Sequence, residues 1–161
     1  MSTRALIVYG TKSIYSHSDG YPSWLGKNLF ENYNDESKIK VLFDLGDVSV
    51  LGKTLHPRYT CSQCSKNRFD TYGACPHCAI KEKAQCNPAG SVFYGRDRGE
   101  PNTQARTVKG LYKQAKQCWA EYVYKFVDGK WYYTDTYNDK EKPFQELTPN
   151  AWVDDTPLFP S

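Results

Sequence analysis

With 161 residues, 39% of them hydrophobic and 11 of them glycine, the chain carries the apolar share of a globular protein with an ordinary core. Its longest aliphatic run, Ala5-Leu6-Ile7-Val8-Tyr9, is too short for a bilayer span or a secretory signal, so a soluble protein with no membrane partner is expected, one that stays in the compartment where it is made. Charge is uneven: residues 1–52 hold 5 basic and 6 acidic side chains, residues 53–116 hold 12 and 4, and residues 117–161 hold 4 and 8, giving −1, +8 and −4 within an overall +3.

Along the chain, Arg4 to Tyr9 and Ser13 to His17 read as two strands joined at Gly10-Thr11-Lys12. Pro22 and Ser23 suit a helix start, and a helix from about Trp24 to Tyr33 puts Leu25, Leu29 and Tyr33 on one stripe. Asp35 can cap a second helix in which Ile39, Leu42 and Phe43 have helical spacing, with Gly46 as its stop. Asp47-Val48-Ser49-Val50 alternates briefly and reads as a short strand or edge segment, and Ser91 to Tyr94 returns to a strand-like apolar run. Asn102 can cap a helix to about Trp119, with Ala105, Val108, Tyr112, Ala115 and Trp119 as its buried stripe. Arg106, Lys109, Lys113 and Lys116 would form a parallel basic stripe. Tyr122 to Val127, Asp128-Gly129 and Lys130 to Tyr137 spell a hairpin with a type I′ turn, pairing Phe126 with Trp131 and Tyr124 with Tyr133 on the core face. Residues 143–161, with four prolines, Trp152 and Phe159, read as an extended C-terminal segment.

Residues 53–90 differ from both flanks: six of these 38 residues are Lys or Arg and five are Cys. Cys61-Ser-Gln-Cys64 and Cys75-Pro-His-Cys78 are two C-x₂-C turns separated by ten residues, the spacing of a tetrahedral four-thiolate zinc site. Four protein ligands leave no open position, so the zinc is expected to be structural, supplying folding energy to a segment whose apolar residues are nearly all Tyr59, Phe69, Tyr72 and Ile80. A redox dithiol at Cys75-Pro-His-Cys78 lacks a surrounding βαβ frame, and paired disulfides do not suit a chain with no secretory signal. Cys86 and Cys118 have no spacing partner.

Two polar clusters are candidate ligand or anion sites: His17, Asp19 and Tyr21 in the turn His17-Ser18-Asp19-Gly20-Tyr21-Pro22, and Arg96, Arg98 and Glu100 in Arg96-Asp97-Arg98-Gly99-Glu100. Arg96 and Arg98 alternate, so both could clamp one phosphate or carboxylate; the plainer reading pairs them with Asp97, Glu100 or Asp47. There is no glycine-rich phosphate loop, nucleophile elbow or H-E-x-x-H motif. Together with Ile14-Tyr15-Ser16 before the first cluster, Leu45-Gly46-Asp47-Val48-Ser49 and Tyr94-Gly95 before the second, these stretches resemble a family of small bacteriophage- and prophage-encoded proteins, over roughly residues 3–52 and 91–135. Ser18 stands where that family has Trp. The resemblance implies an accessory phage protein in a bacterial cytoplasm, of the host-takeover or counter-defence type, and implies no particular chemistry.

The expected fold is α+β: an antiparallel sheet with two or three helices on one face (residues 1–52 and 91–142), carrying a zinc-ribbon-like insertion at 53–90. The expected function is a non-catalytic protein that binds and inhibits or redirects a host protein. Its contact surface would draw on Lys53, Arg58, Lys66, Arg68, Lys81 and Lys83, with Arg106, Lys109, Lys113 and Lys116 beside them. The alternatives are capture of a nucleotide by Arg96, Arg98, His17 and nearby tyrosines, and nucleic-acid binding through the basic middle. An enzyme with His17 and Asp19 as acid and base ranks last.

Overall fold

A computed structural model describes residues 2–68 and 73–153; Phe69, Tyr72 and Phe159 lie outside the described residues. Strands Ala5–Tyr9 (β1) and Lys12–Ser16 (β2) pair antiparallel through a turn at Gly10, whose φ of +60° suits glycine. The aromatic hairpin forms as its sequence predicts. Tyr122–Val127 (β9) and Lys130–Asp135 (β10) place Trp131 opposite Phe126 and Tyr133 opposite Tyr124, with Asp128 and Gly129 both at positive φ. The Phe126 and Trp131 rings meet edge to face at 5.1 Å, and Tyr124 and Tyr133 stack at 6.2 Å.

The two hairpins join in parallel, β1 against β9, with Ala5 opposite Tyr122 and Tyr9 opposite Phe126. A second parallel pairing sets Ser16 of β2 beside Val48 of β3 (Val48–Val50), and β3 pairs antiparallel with Val92–Phe93 (β7). The sheet is therefore mixed, where a wholly antiparallel one is expected from sequence. The reason is the position of β1, which lies between β2 and β9 and is buried on both faces from Ala5 to Val8. Its unbroken apolar run is what a doubly covered strand requires.

Ala5, Ile7 and Ile14 face the helices that precede β3, and Leu6 and Val8 face the opposite way. On the first face, a π-helical turn at Pro22–Gly26 leads into Lys27–Asn32 (α1), followed by Glu36–Leu45 (α2). Leu25, Leu29, Tyr33, Ile39, Leu42 and Phe43 are buried there, all at the positions the stripes predict. Asp35 caps α2 by accepting the Ser37 N–H at 2.9 Å, and Gly46 ends it at φ +83°. The second face is covered by Leu111–Gln117 (α3), which buries Ala115 against Leu6, Val8 and Val123. Helices thus lie on both faces rather than on one.

The helix expected over 102–119 is much shorter. Asn102 and Gly110 both have left-handed backbone (φ +61° and +60°), and between them Arg106–Thr107 (β8) pairs with Ser13 and Lys12 of β2. An open stretch of the β2 edge competes successfully with helix propensity here. Arg106 consequently leaves the basic stripe, Lys109 sits in a loop, and Lys113 and Lys116 alone share α3. Trp119, assigned to the buried stripe, is 76% exposed in left-handed backbone at φ +62°. The C-terminal segment adds Gln145–Glu146 (β11) to β10 and a short helix Asn150–Val153 (α4), with Trp152 edge-on to Phe30 at 5.4 Å.

These placements separate the tryptophans. Trp131→Ala, which empties a 2% exposed site and orphans the Tyr33 carbonyl bonded by its indole N–H, should lower unfolding free energy by about 3–5 kcal/mol. Trp119→Ala should change it by no more than about 0.5 kcal/mol. Urea unfolding of the two variants checks both.

Candidate metal centre

Among its described residues the segment between Lys53 and Gly90 contains three two-residue strands, Tyr59–Thr60 (β4), Asn67–Arg68 (β5) and Gln85–Cys86 (β6), ordered β5-β4-β6. It builds the same turn twice. The Cys61 N–H donates to Lys66 O (2.9 Å) and the Ser65 N–H donates back to Cys61 O (3.0 Å), with Ser65 at φ +60°. The Cys75 N–H donates to Ile80 O (3.0 Å) and the Ala79 N–H to Cys75 O (2.8 Å), with Ala79 at φ +61°. Each turn aims its backbone N–H groups at the first sulfur: Gln63 and Cys64 donate to Cys61 Sγ at 3.4 and 3.5 Å, and His77 donates to Cys75 Sγ at 3.4 Å.

The two turns face each other, so that Cys61 Sγ lies 3.6 Å from Cys78 Sγ and Cys64 Sγ lies 3.7 Å from Cys75 Sγ. All four sulfurs lie within 4.8 Å of one another. A tetrahedral site with metal–sulfur bonds of about 2.3 Å has sulfur–sulfur edges of about 3.8 Å, so the cluster has the size a metal ion needs. No two of the six cysteines are disulfide-bonded.

The electrostatics agree with that purpose. The Cys64 and Gln63 N–H groups pull the Cys61 thiol down to about 6. Cys75 is also lowered: burial opposes ionisation, and the His77 and Cys78 N–H groups outweigh it. Cys78 is held up at about 11; the Ile80 N–H favours its thiolate, but burial and the crowding Cys61, Cys75 and Cys64 sulfurs prevail. Four thiolates cannot share this volume without a cation between them. Cys86 is exposed on β6 outside the cluster, and Cys118 donates to Ala115 O at 3.4 Å with its thiol pushed up by burial.

Two side chains brace the turns. Glu82 accepts from Ser62 Oγ (3.1 Å) and Gln63 Nε2 (3.2 Å), tying the second turn to the first; no spacing signal in the sequence announces it. Arg68, expected on a partner surface, is instead 2% exposed, and its guanidinium donates to the Gly73 and Glu82 carbonyls at 3.1 and 3.0 Å. A segment with few apolar residues uses this cation as interior cross-link. Lys66, Lys81 and Lys83 are exposed and Arg58 is half-buried.

The Arg96–Arg98 clamp does not form. Arg96 makes a bidentate pair with the buried Asp97 (3.0 Å from both Nε and a terminal nitrogen) and donates to Leu55 O and Ser91 O. Arg98 pairs with Glu100 at 3.1 Å and lies over the Tyr94 ring. His17 Nδ1 is 2.7 Å from Tyr15 Oη, and burial, then Arg4 and Arg98, hold its pKa below the usual histidine value. Asp19 is exposed, and Tyr21 is half-buried with its phenol raised by burial and by Asp19. Arg106 binds both oxygens of the buried Asp47 (3.1 and 2.7 Å), which also accepts the Tyr15 N–H at 2.9 Å. Lys116 pairs with Asp139 at the surface, and Lys109 and Lys113 are exposed.

Arg96→Ala should therefore destabilise the fold by about 1–3 kcal/mol, because Asp97 is left buried without its cation, while Arg98→Ala should change it by well under about 1 kcal/mol. Denaturant unfolding of each variant is the check. Comparisons with protein-family models, with curated proteins and with solved structures return no match to this chain.

Proposed function

We propose that this chain is a non-catalytic binding protein, stabilised by one zinc ion in a ribbon-like insertion, that captures a host component in a bacterial cytoplasm. The closed four-thiolate cluster carries the reading. Soft sulfur donors at tetrahedral spacing select zinc over hard cations, and four protein ligands leave no position for a substrate or an activated water. The paired C-x₂-C turns on short antiparallel strands support the ribbon comparison.

The other candidate groups point away from turnover. His17 is engaged by Tyr15, and Arg96 and Arg106 hold carboxylates of the fold itself. What the metal-bearing segment offers to the outside is charge: Lys66, Lys81 and Lys83 are exposed on it, which suits an acidic protein face. Among the described residues no helix is long and apolar enough to cross a membrane. The phage-family resemblance of the His17, Asp47 and Arg98 stretches supports an accessory role of the host-takeover or counter-defence type.

Native mass spectrometry of protein purified gently from bacterial cytosol should show one zinc per chain, lost in Cys64→Ser and on chelation; a disulfide-bonded, metal-free chain would overturn the reading. Reversing Lys66, Lys81 and Lys83 to Glu should abolish retention of any co-purifying host protein at unchanged zinc content. Retention by that variant would remove the proposed contact surface.

A further inference from the structure

We infer that the cleft between the π-helical turn, α1 and the root of the cysteine-bearing segment binds a nucleotide, an inference that rests on reading the chain as a binding protein. The cleft has a volume of about 440 Å³, within the range of roughly 300–1,000 Å³ that small-ligand sites occupy. One wall is the turn Pro22–Gly26 with α1, and the other is the chain from Val50 to Lys53 with Arg58 and Pro88.

The walls are fixed before any ligand arrives. Asn28 Nδ2 donates to the Leu51 and Gly52 carbonyls at 3.1 and 2.9 Å, and Tyr33 Oη donates to Gly52 O at 2.7 Å. The Gly52 N–H donates to Ser91 Oγ at 2.8 Å, and a Cβ at position 52 would collide with the carbonyl oxygens of Ala89 and Gly90. The π-helical turn matters for what it presents: it buries Leu25 at 4% exposure while turning Trp24 out at 62%. Single-turn π segments recur at functional sites, and an exposed indole beside a pre-formed cleft is a surface for stacking a planar ring.

Charge selects the rest of the ligand. Lys27, Lys53 and Arg58 line the cleft, and among the described residues neither lysine ammonium makes a hydrogen bond or ion pair. The only hydrogen bond from the Arg58 guanidinium among the described residues is a long one of 3.5 Å to Gly90 O. Three cations beside one exposed indole fit a phosphate attached to an aromatic base. The cleft also holds two carboxylates, Asp19 and Glu31, which would repel a bare polyanion but can accept hydrogen bonds from ribose hydroxyls. A base, a sugar with free hydroxyls and a phosphate together use every class of group present.

The test is calorimetric titration of the zinc-loaded full chain with ATP and GTP, with adenosine and inorganic tripolyphosphate as half-ligands, and zinc content measured on the same sample. At least one nucleotide should bind ten times more tightly than either half and quench tryptophan fluorescence. Trp24→Ala and the pair Lys53→Ala/Arg58→Ala should each weaken it at least tenfold, at unchanged zinc content and melting temperature. Trp119→Ala, also exposed but outside the cleft, should bind like the parent chain. No nucleotide binding by the zinc-loaded protein, tripolyphosphate binding as tight as ATP, or unchanged binding by Trp24→Ala would each overturn the proposal. Absence of zinc would instead count against the metal reading and leave the cleft result to be judged separately.

Discussion

Every polar backbone and side-chain atom of Ser91 is engaged, and the arrangement of both candidate sites depends on it. Fully buried, it accepts the Gly52 N–H at 2.8 Å on Oγ and donates that hydroxyl to Thr54 O at 2.7 Å. Its N–H donates to His56 O, and its carbonyl accepts from the Arg58 N–H and from Arg96. The outgoing and returning strands of the cysteine-bearing segment are thereby stitched at one residue. Arg96 adds a second stitch through Leu55 O, anchored on Asp97, whose carboxylate also takes the Phe93 N–H at 2.7 Å. Interior polar groups matched this completely are rigidifying, because in low dielectric any one of them left unpaired is costly.

The cysteine-bearing segment and the sheet-based body draw on different sources of stability. The body buries a continuous set of rings and aliphatic side chains on the two faces of β1, so apolar burial organises it. The cysteine segment has little such burial: among its described residues only the cluster cysteines Cys61 and Cys75, with Ala84, are buried apolar side chains, and Arg68 fills an interior position with charge. A metal ion held by the four crowded sulfurs would supply its ordering force, and backbone N–H groups are already placed to favour thiolate at Cys61 and Cys75. The body supplies the frame on which the two cysteine turns are mounted, and the Ser91 stitch transmits that frame.

Much of this was legible in the sequence where the governing interactions are local. The Asp128-Gly129 hairpin, the Asp35 cap, the Gly46 stop and the paired C-x₂-C turns are each decided within one short stretch of chain, and each lies where pattern and turn chemistry put it. The failures are long-range. The parallel pairing of β1 with β9 joins residues more than a hundred positions apart, and nothing in Ala5–Tyr9 specifies its partner except that both faces are apolar. The helix expected over 102–119 lost its first half to the β2 edge, a competitor that helical periodicity cannot reveal.

The arginines show why site chemistry is harder to read than fold. Arg96, Arg98 and Arg106 have the same donors and the same capacity to clamp an anion, and sequence alone cannot say whether the anion is foreign or internal. Here Arg96 and Arg106 find buried carboxylates, Asp97 and Asp47, supplied by the fold itself. Lys27 and Lys53 differ because the cleft wall holds them where, among the described residues, no carboxylate or carbonyl reaches their ammonium groups. Trp24 and Trp119 divide in the same way: both are exposed, but of the two only Trp24 lines the open cleft that Lys27, Lys53 and Arg58 also line. Residue type thus says what a side chain can bind, whereas the competition for it inside the fold decides what remains available to a ligand. By that criterion the cleft cations beside the Ser91 stitch, which find no carboxylate among the described residues, are better placed to meet an outside ligand than the arginine-rich motif.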